Sequence, residues 1–235
     1  RRYTLTIIEK HRVFPVHGVE EHAVWDEFVA PIIPSDVPKN VRDICGYGVT
    51  EMVNNVIDHS ASATVLVGVQ VTPKKIKIDV KDEGVGIFTK IHRELGLEDV
   101  RLAVFELAKG KLTTDPERHS GEGIFFTSRM FDRFSILSGS LFFAHNRGSK
   151  DWLLDDRQDR GPGTFIGLEI GTMATHTDNE IFQQYASERD DYAFNKTHVV
   201  LELAKLGEER FVSRSQAKRV LARLERFREI GLDFS

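Results

Sequence analysis

The chain lacks most of the features that would assign it at a glance. Among its 235 residues there is one cysteine, Cys45. No disulfide can form within the chain, which fits a reducing, cytoplasmic setting. No apolar run approaches the roughly 18 residues of a membrane span. The opening RRYTLTIIEK has no apolar core of a secretory signal. Basic charge does not predominate, since 32 Lys and Arg stand against 36 Asp and Glu, a net charge of −4. A globally basic nucleic-acid binder is therefore not indicated. Internal repeats and low-complexity tracts are missing. So are two familiar phosphate-binding sequences, the P-loop GxxxxGK[ST] and the dinucleotide GxGxxG in its strand–turn–helix setting. There is no initial methionine, and the chain stops at Ser235 in what reads as a strand. The expectation is a piece of a longer protein.

What is present is an ordinary globular composition, 40% hydrophobic and 29% charged. Alternating, β-rich residues predict a strand over 3–9. A short helix is expected over 23–33 and a long, proline-free helix over 40–60. Residues 63–71 and 75–80 read as a hairpin turning at Pro73. Helical patterns follow over 98–109 and 124–132, strands over 134–137, 141–145 and 165–170, and a charged loop over 151–160. Strand pairs joined by short turns favour an α+β sandwich with a largely antiparallel sheet over a doubly wound parallel one.

Three segments carry chemistry. In EMVNNVIDHS, residues 51–60, helical geometry puts Glu51, Asn54, Asn55, Asp58 and His59 in one sector and Met52, Val53, Val56 and Ile57 opposite. Paired asparagines cost helix stability, so a polar face of this kind is unusual, though a solvated face has the same pattern. Next, DEGVGI, residues 82–87, follows a strand; its glycines allow a sharp turn and close backbone approach, and Asp82 would project as a fixed acceptor. Last, HSGEGIFF, residues 119–126, sets Gly121 and Gly123 before a helix, where exposed N–H groups and the helix dipole favour an anion. Either glycine box alone is also a common turn.

The ordered set ExxNNxxDH, DxGxG, GxG, with GPGTF at 161–165, resembles the Bergerat ATP-binding fold of gyrase, the ninety-kilodalton heat-shock chaperone, histidine kinases and MutL. The resemblance spans roughly residues 1–172. It implies a two-layer α/β sandwich binding ATP and Mg²⁺. By this resemblance Asn55 is the Mg²⁺ ligand, and Asp82 accepts from the adenine amino group. Gly86 admits the nucleotide to the backbone, and Thr164 reaches adenine or its bound water. Gly121 and Gly123 stand at the phosphates. Asp58, Gly84 and Ile87 lie in the same boxes and are candidate contacts. A lid would span about 95–120, with Lys109, Lys111, Arg118 and His119 as phosphate contacts or, equally, a solvated basic loop. Glu51, one turn before Asn55, corresponds to the glutamate that acts as general base or orients the nucleophile, and His59 is compatible with the same site.

No histidine-bearing dimerisation hairpin is present, so a histidine kinase is disfavoured. The endings NxxDHS and SGEG are similar to the anti-sigma-factor serine kinases. After a linker at 173–193, residues 194–235 resemble the start of a STAS-like domain, the kind of antagonist paired with those kinases. There a helix is expected over 213–230, with Ala217, Val220, Leu221, Leu224 and Phe227 as its apolar stripe. Its basic residues are interrupted by Glu225 and Glu229 and read as a solvated face. Three functions follow. The first is a serine/threonine protein kinase of the anti-sigma type acting on a STAS-type or other regulatory partner. The second is an ATPase whose lid closure drives dimerisation or a conformational change. The third is a nucleotide-binding module without catalysis. A homodimer is left open.

Overall fold

A computed structural model describes residues 7–112, 121–149, 151–155, 161–186, 194–206 and 213–234. Among these, seven strands form one sheet: β1 Ile8–Pro15, β2 Thr64–Val71, β3 Lys75–Asp82, β4 Arg133–Ser138, β5 Leu141–Asn146, β6 Trp152–Asp155 and β7 Thr164–Gly171. Their spatial order is β1-β2-β3-β7-β4-β5-β6, with every neighbouring pair antiparallel. Strict alternation sets the buried face: Ile76, Ile78 and Val80 of β3 point into the core, while Lys75, Lys77 and Lys81 lie on the other side. Helices cover only the apolar face, giving the α+β two-layer sandwich expected.

The central helix of that layer is α2, Lys39–His59. Val41, Ile44, Val49, Met52 and Val53 are fully buried against the sheet. Ahead of it lies α1, Glu21–Val24, continued by a π turn at Trp25–Val29. Beyond the hairpin come α3 Ile87–Leu95, α4 Arg101–Lys109 and α5 Gly123–Met130. Helix α6, Asp178–Tyr185, falls inside the stretch expected as linker; Thr177 and Glu180 cap it reciprocally.

Several elements depart from the sequence reading. Of the strand expected over 3–9, residues 3–6 lie outside the described residues; β1 continues to Pro15, with Phe14 opposite Val65 and in the core. The charged loop begins as β6, zipped onto β5 through Trp152 and Leu154. Helix α3 was not anticipated; it buries only Phe88 and Ile91 and stops at left-handed Gly96. Most of the stretch expected as a lid between 95 and 109 is α4, whose Leu102, Val104 and Phe105 are core residues. The helix expected over 213–230 is cut to α7, Arg214–Leu221. Arg223 then takes a left-handed φ of 65°, and the chain re-enters a strand, β9 Glu229–Asp233. Leu221 and Ala217 face solvent, so the expected stripe is interrupted, while Val220, Leu224 and Phe227 are buried. Strand β9 runs parallel to β8, Lys196–Val200, making a small β8–α7–β9 unit against α4. No helix among the described residues is long and apolar enough to cross a membrane.

Candidate functional site

The polar sector of α2 forms one wall of a cleft of about 490 Å³. Glu51, Asn54, Asn55 and His59 line it, as do Asp82, Gly86 and Ile87 after β3, Gly121 and Gly123 before α5, and Thr164 on β7. Residues up to 113 positions apart in sequence thus converge, because β7 inserts between β3 and β4 and brings Thr164 opposite Asp82.

At one end Asp82 is 4% exposed. Its Oδ1 accepts from the Gly84 N–H at 2.7 Å. Burial pushes its carboxyl above the usual range, against the pull of hydrogen bonds from Gly84 and Thr164. The Thr164 hydroxyl also accepts from the Ile87 N–H at 3.0 Å, tying β7 to the start of α3. Gly163, at φ 100°, passes so close that a Cβ would lie 2.2 Å from the Asp82 carbonyl oxygen. These contacts leave Asp82 as a pre-oriented acceptor on the cleft wall.

At the other end Glu51 packs on the second glycine box. A Cβ on Gly123 would come within 1.9 Å of Glu51 Oε2, so a larger residue would make the carboxylate shift from this position. The N-terminus of α5 thereby faces an anionic group, as its dipole favours. Asn55 donates from Nδ2 to the Glu51 carbonyl at 2.8 Å, which commits the amide end and leaves Oδ1 as its acceptor. Tyr47, one turn before Glu51, also lines the cleft; burial, then the nearby charges of Glu51 and Glu122, raise its phenol above its ordinary value.

The candidates are not all brought together. Gly84 sits behind the cleft, where a Cβ would strike the Ser60 carbonyl oxygen at 1.9 Å; its smallness docks the turn on the end of α2. Asp58 is exposed and does not line the cleft, although it shares the polar sector. Lys109 is turned away altogether: its fully buried ammonium bonds Glu106 at 2.6 Å and the Ala222 carbonyl at 2.8 Å. Lys111 bonds the Arg226 carbonyl at 3.0 Å. Both face the β8–α7–β9 unit, whose presence on α4 no local pattern signals. Arg118 and His119 lie outside the described residues.

Tyr47, Glu122 and Lys90 are ionisable lining residues outside the sequence candidates. Tyr47 falls in the same helical sector as Glu51 and was legible by periodicity. Glu122 lies between the two glycines already singled out. Lys90 was hidden because α3 was not recognised. Among the described residues it is the only lysine or arginine lining the cleft. It donates to His59 Nδ1 at 3.3 Å and to the His59 carbonyl at 3.2 Å.

No curated protein matches the chain. The family of histidine kinase-like ATPase domains matches residues 27–140, a stretch that holds α2, the hairpin and both glycine boxes and ends before Thr164. Over those residues the chain is similar to the histidine kinase-like ATPase domain, and its mostly antiparallel sandwich is consistent with that fold, which supports an ATP-binding, ATPase- or kinase-like function.

Proposed function

We propose that the cleft binds Mg²⁺-ATP and that the protein transfers the terminal phosphoryl group to a serine or threonine hydroxyl of a protein partner. The observation that carries this reading is the seating of Glu51 on Gly123, one helical turn from Asn55. A carboxylate, a hard oxygen donor and a helix N-terminus stand together where phosphate chemistry needs them.

The cleft fits the ligand. Asp82 offers the acceptor for an adenine amino group, with Thr164 beside it. Gly86, at φ 79°, lines the cleft with its backbone, and a Cβ there would lie 2.7 Å from Ser138 Oγ. The Asn55 Oδ1 suits Mg²⁺, which takes oxygen ligands and keeps waters. Bound there, the cation would neutralise charge on the phosphate oxygens. Lys90 adds a protein cation to the same cleft. In the transfer, the acceptor oxygen bonds to the terminal phosphorus as the bond to the ADP oxygen breaks. Glu51 takes the hydroxyl proton, and ADP leaves. The α5 N–H groups are placed to meet the developing charge.

The partner class follows from the second unit. We read residues 194–235 as the opening of a STAS-like fold, and the parallel β8–α7–β9 arrangement supports this. A phosphorylatable domain of that type is the expected acceptor.

Incubation with Mg²⁺ and terminally labelled ATP, with and without a STAS-type protein, tests the proposal. The expected result is label on protein, reduced roughly 100-fold or more in Glu51→Ala with Mg²⁺-ATP affinity kept within a few-fold. Label released only as free phosphate would replace kinase with ATPase. Failure of the wild-type protein to bind Mg²⁺-ATP would overturn the reading of the cleft.

A further inference from the structure

The chain segment that leads into the second glycine box is held from outside the sandwich. After α4 the backbone passes through two left-handed residues, Gly110 at φ 83° and Lys111 at φ 50°. The Leu112 N–H then donates to the Gly121 carbonyl at 3.1 Å. Gly121 sits so tightly that a Cβ would lie 2.4 Å from the Leu112 carbonyl carbon. Two residues on, Gly123 carries the Glu51 carboxylate. Leu112 and Gly121 therefore form a neck two residues before Gly123.

Arg223 grips this neck. Its NH2 donates to the Lys111 carbonyl at 2.9 Å and to the Gly110 carbonyl at 3.3 Å. Its NH1 meets Glu106 Oε2 at 2.7 Å. The other Glu106 oxygen holds the buried Lys109 ammonium, which reaches back to the Ala222 carbonyl. Thr197 of β8 closes the ring, donating to the Lys109 carbonyl at 2.7 Å. Arg223 is itself in the left-handed region, uncommon for a residue with a side chain. Two non-glycine residues in that conformation, Lys111 and Arg223, are thus bonded to one another. Backbone outliers persist where surroundings over-determine them, and they cluster at functional sites.

We propose that Arg223 is a positioning residue for the phosphate end of the cleft: through the carbonyls of Gly110 and Lys111 it fixes the Leu112–Gly121 neck and so seats Gly123 at Glu51. The β8–α7–β9 unit is then a brace for the site as well as a neighbour of it. A planar guanidinium fork holds the two successive carbonyls and the carboxylate in one fixed geometry. The inference rests on the nucleotide reading of the cleft. It is confined to the phosphate end, since Arg223 touches nothing at Asp82.

Calorimetry on the full chain with Mg²⁺-ATP and with adenosine tests it. Wild-type protein binding neither ligand would sink the nucleotide reading. Given wild-type binding, Arg223→Gln should weaken Mg²⁺-ATP about tenfold, a typical coupling between linked groups, with adenosine unchanged within twofold. Arg219→Gln serves as the control. Arg219 lies in the same unit but donates to the Ala204 carbonyl at 3.0 Å and pairs with Glu98. It should leave both affinities unchanged. Equal Mg²⁺-ATP affinity for Arg223→Gln and wild type overturns the inference, as does an equal loss in Arg219→Gln.

Because coupling is reciprocal, a wild-type measurement decides the matter even where Arg223→Gln does not fold. Mg²⁺-ATP, but not adenosine, should slow hydrogen exchange at the Leu112 amide and across the Val199–Leu232 pairing of β8 and β9. Equal protection by the two ligands would refute the brace.

Discussion

Asp82→Asn should separate ligand recognition from folding. Asp82 is 4% exposed, and one carboxylate oxygen already accepts from the Gly84 N–H at 2.7 Å. Asparagine has the same shape, and its Oδ1 will stay on Gly84, since releasing it would orphan a buried backbone donor. Nδ2 then turns to the ligand, so a donor faces the adenine amino donor. Losing a hydrogen bond to a charged acceptor costs about 1.5–3 kcal/mol. At 1.4 kcal/mol per factor of ten, ATP affinity should fall roughly 10- to 150-fold. The fold should not suffer. Burial raises the Asp82 pKa, so ionising this group weakens the empty protein, and any stability it lends is present at low pH and lost as pH rises through its folded pKa. A neutral amide removes that burden, and the Tm at pH 7 should be equal or higher. The same shift means that, on acidification, wild-type affinity begins to fall at a higher pH than for an ordinary carboxylate. Calorimetric titration and thermal unfolding read both effects. Unchanged ATP affinity, or a loss that merely tracks a lower Tm, would refute the assignment of Asp82.

Lys90→Gln should raise the Kd for Mg²⁺-ATP roughly five- to tenfold at low salt, and less at 1 M salt where charges are screened; adenosine binding should stay as in wild type, and a parallel loss of adenosine would remove Lys90 from the phosphates. Gly163→Ala places a methyl 2.2 Å from the Asp82 carbonyl oxygen at φ 100°; chemical denaturation should show a loss on the order of 1–3 kcal/mol, and wild-type stability would contradict the close approach. Burial pushes the Cys45 thiol up to about 12, so a thiol reagent between pH 7 and 9 should label native protein only on denaturation; rapid labelling of the folded chain would mean that α2 opens at Cys45.

The residues of the cleft were readable from local order because each box obeys a rule of its own element. Glu51 and Asn55 share a face by helical periodicity. The glycines of 82–87 and 121–123 stand where a strand ends and a helix begins. Tyr47 obeys the first rule as well. Element types in the sandwich were legible where alternation is strong, as in β3, and failed where a contact made far away decides them. Strand β1 is fixed by Phe14 meeting Val65, and β6 by pairing with β5. The basic residues show the limit most plainly. A lysine at the end of a helix before a polar loop reads as a free cation, and nothing local reveals that Glu106, Arg223 and the Ala222 carbonyl will surround Lys109. Likewise an arginine in a helical run gives no sign that the helix will break there.

By itself the sequence determined which side chains the cleft would offer, since the Asp82 acceptor, the Asn55 amide and the glycines are set by residue type and spacing within single elements. Only the tertiary structure decided which cations face the cleft, bringing Lys90 in and taking Lys109 and Lys111 out. It alone set Arg223 on the neck. A long side chain commits its charge to whichever partner the packing of distant segments brings within reach, and that choice is not written in its neighbours along the chain.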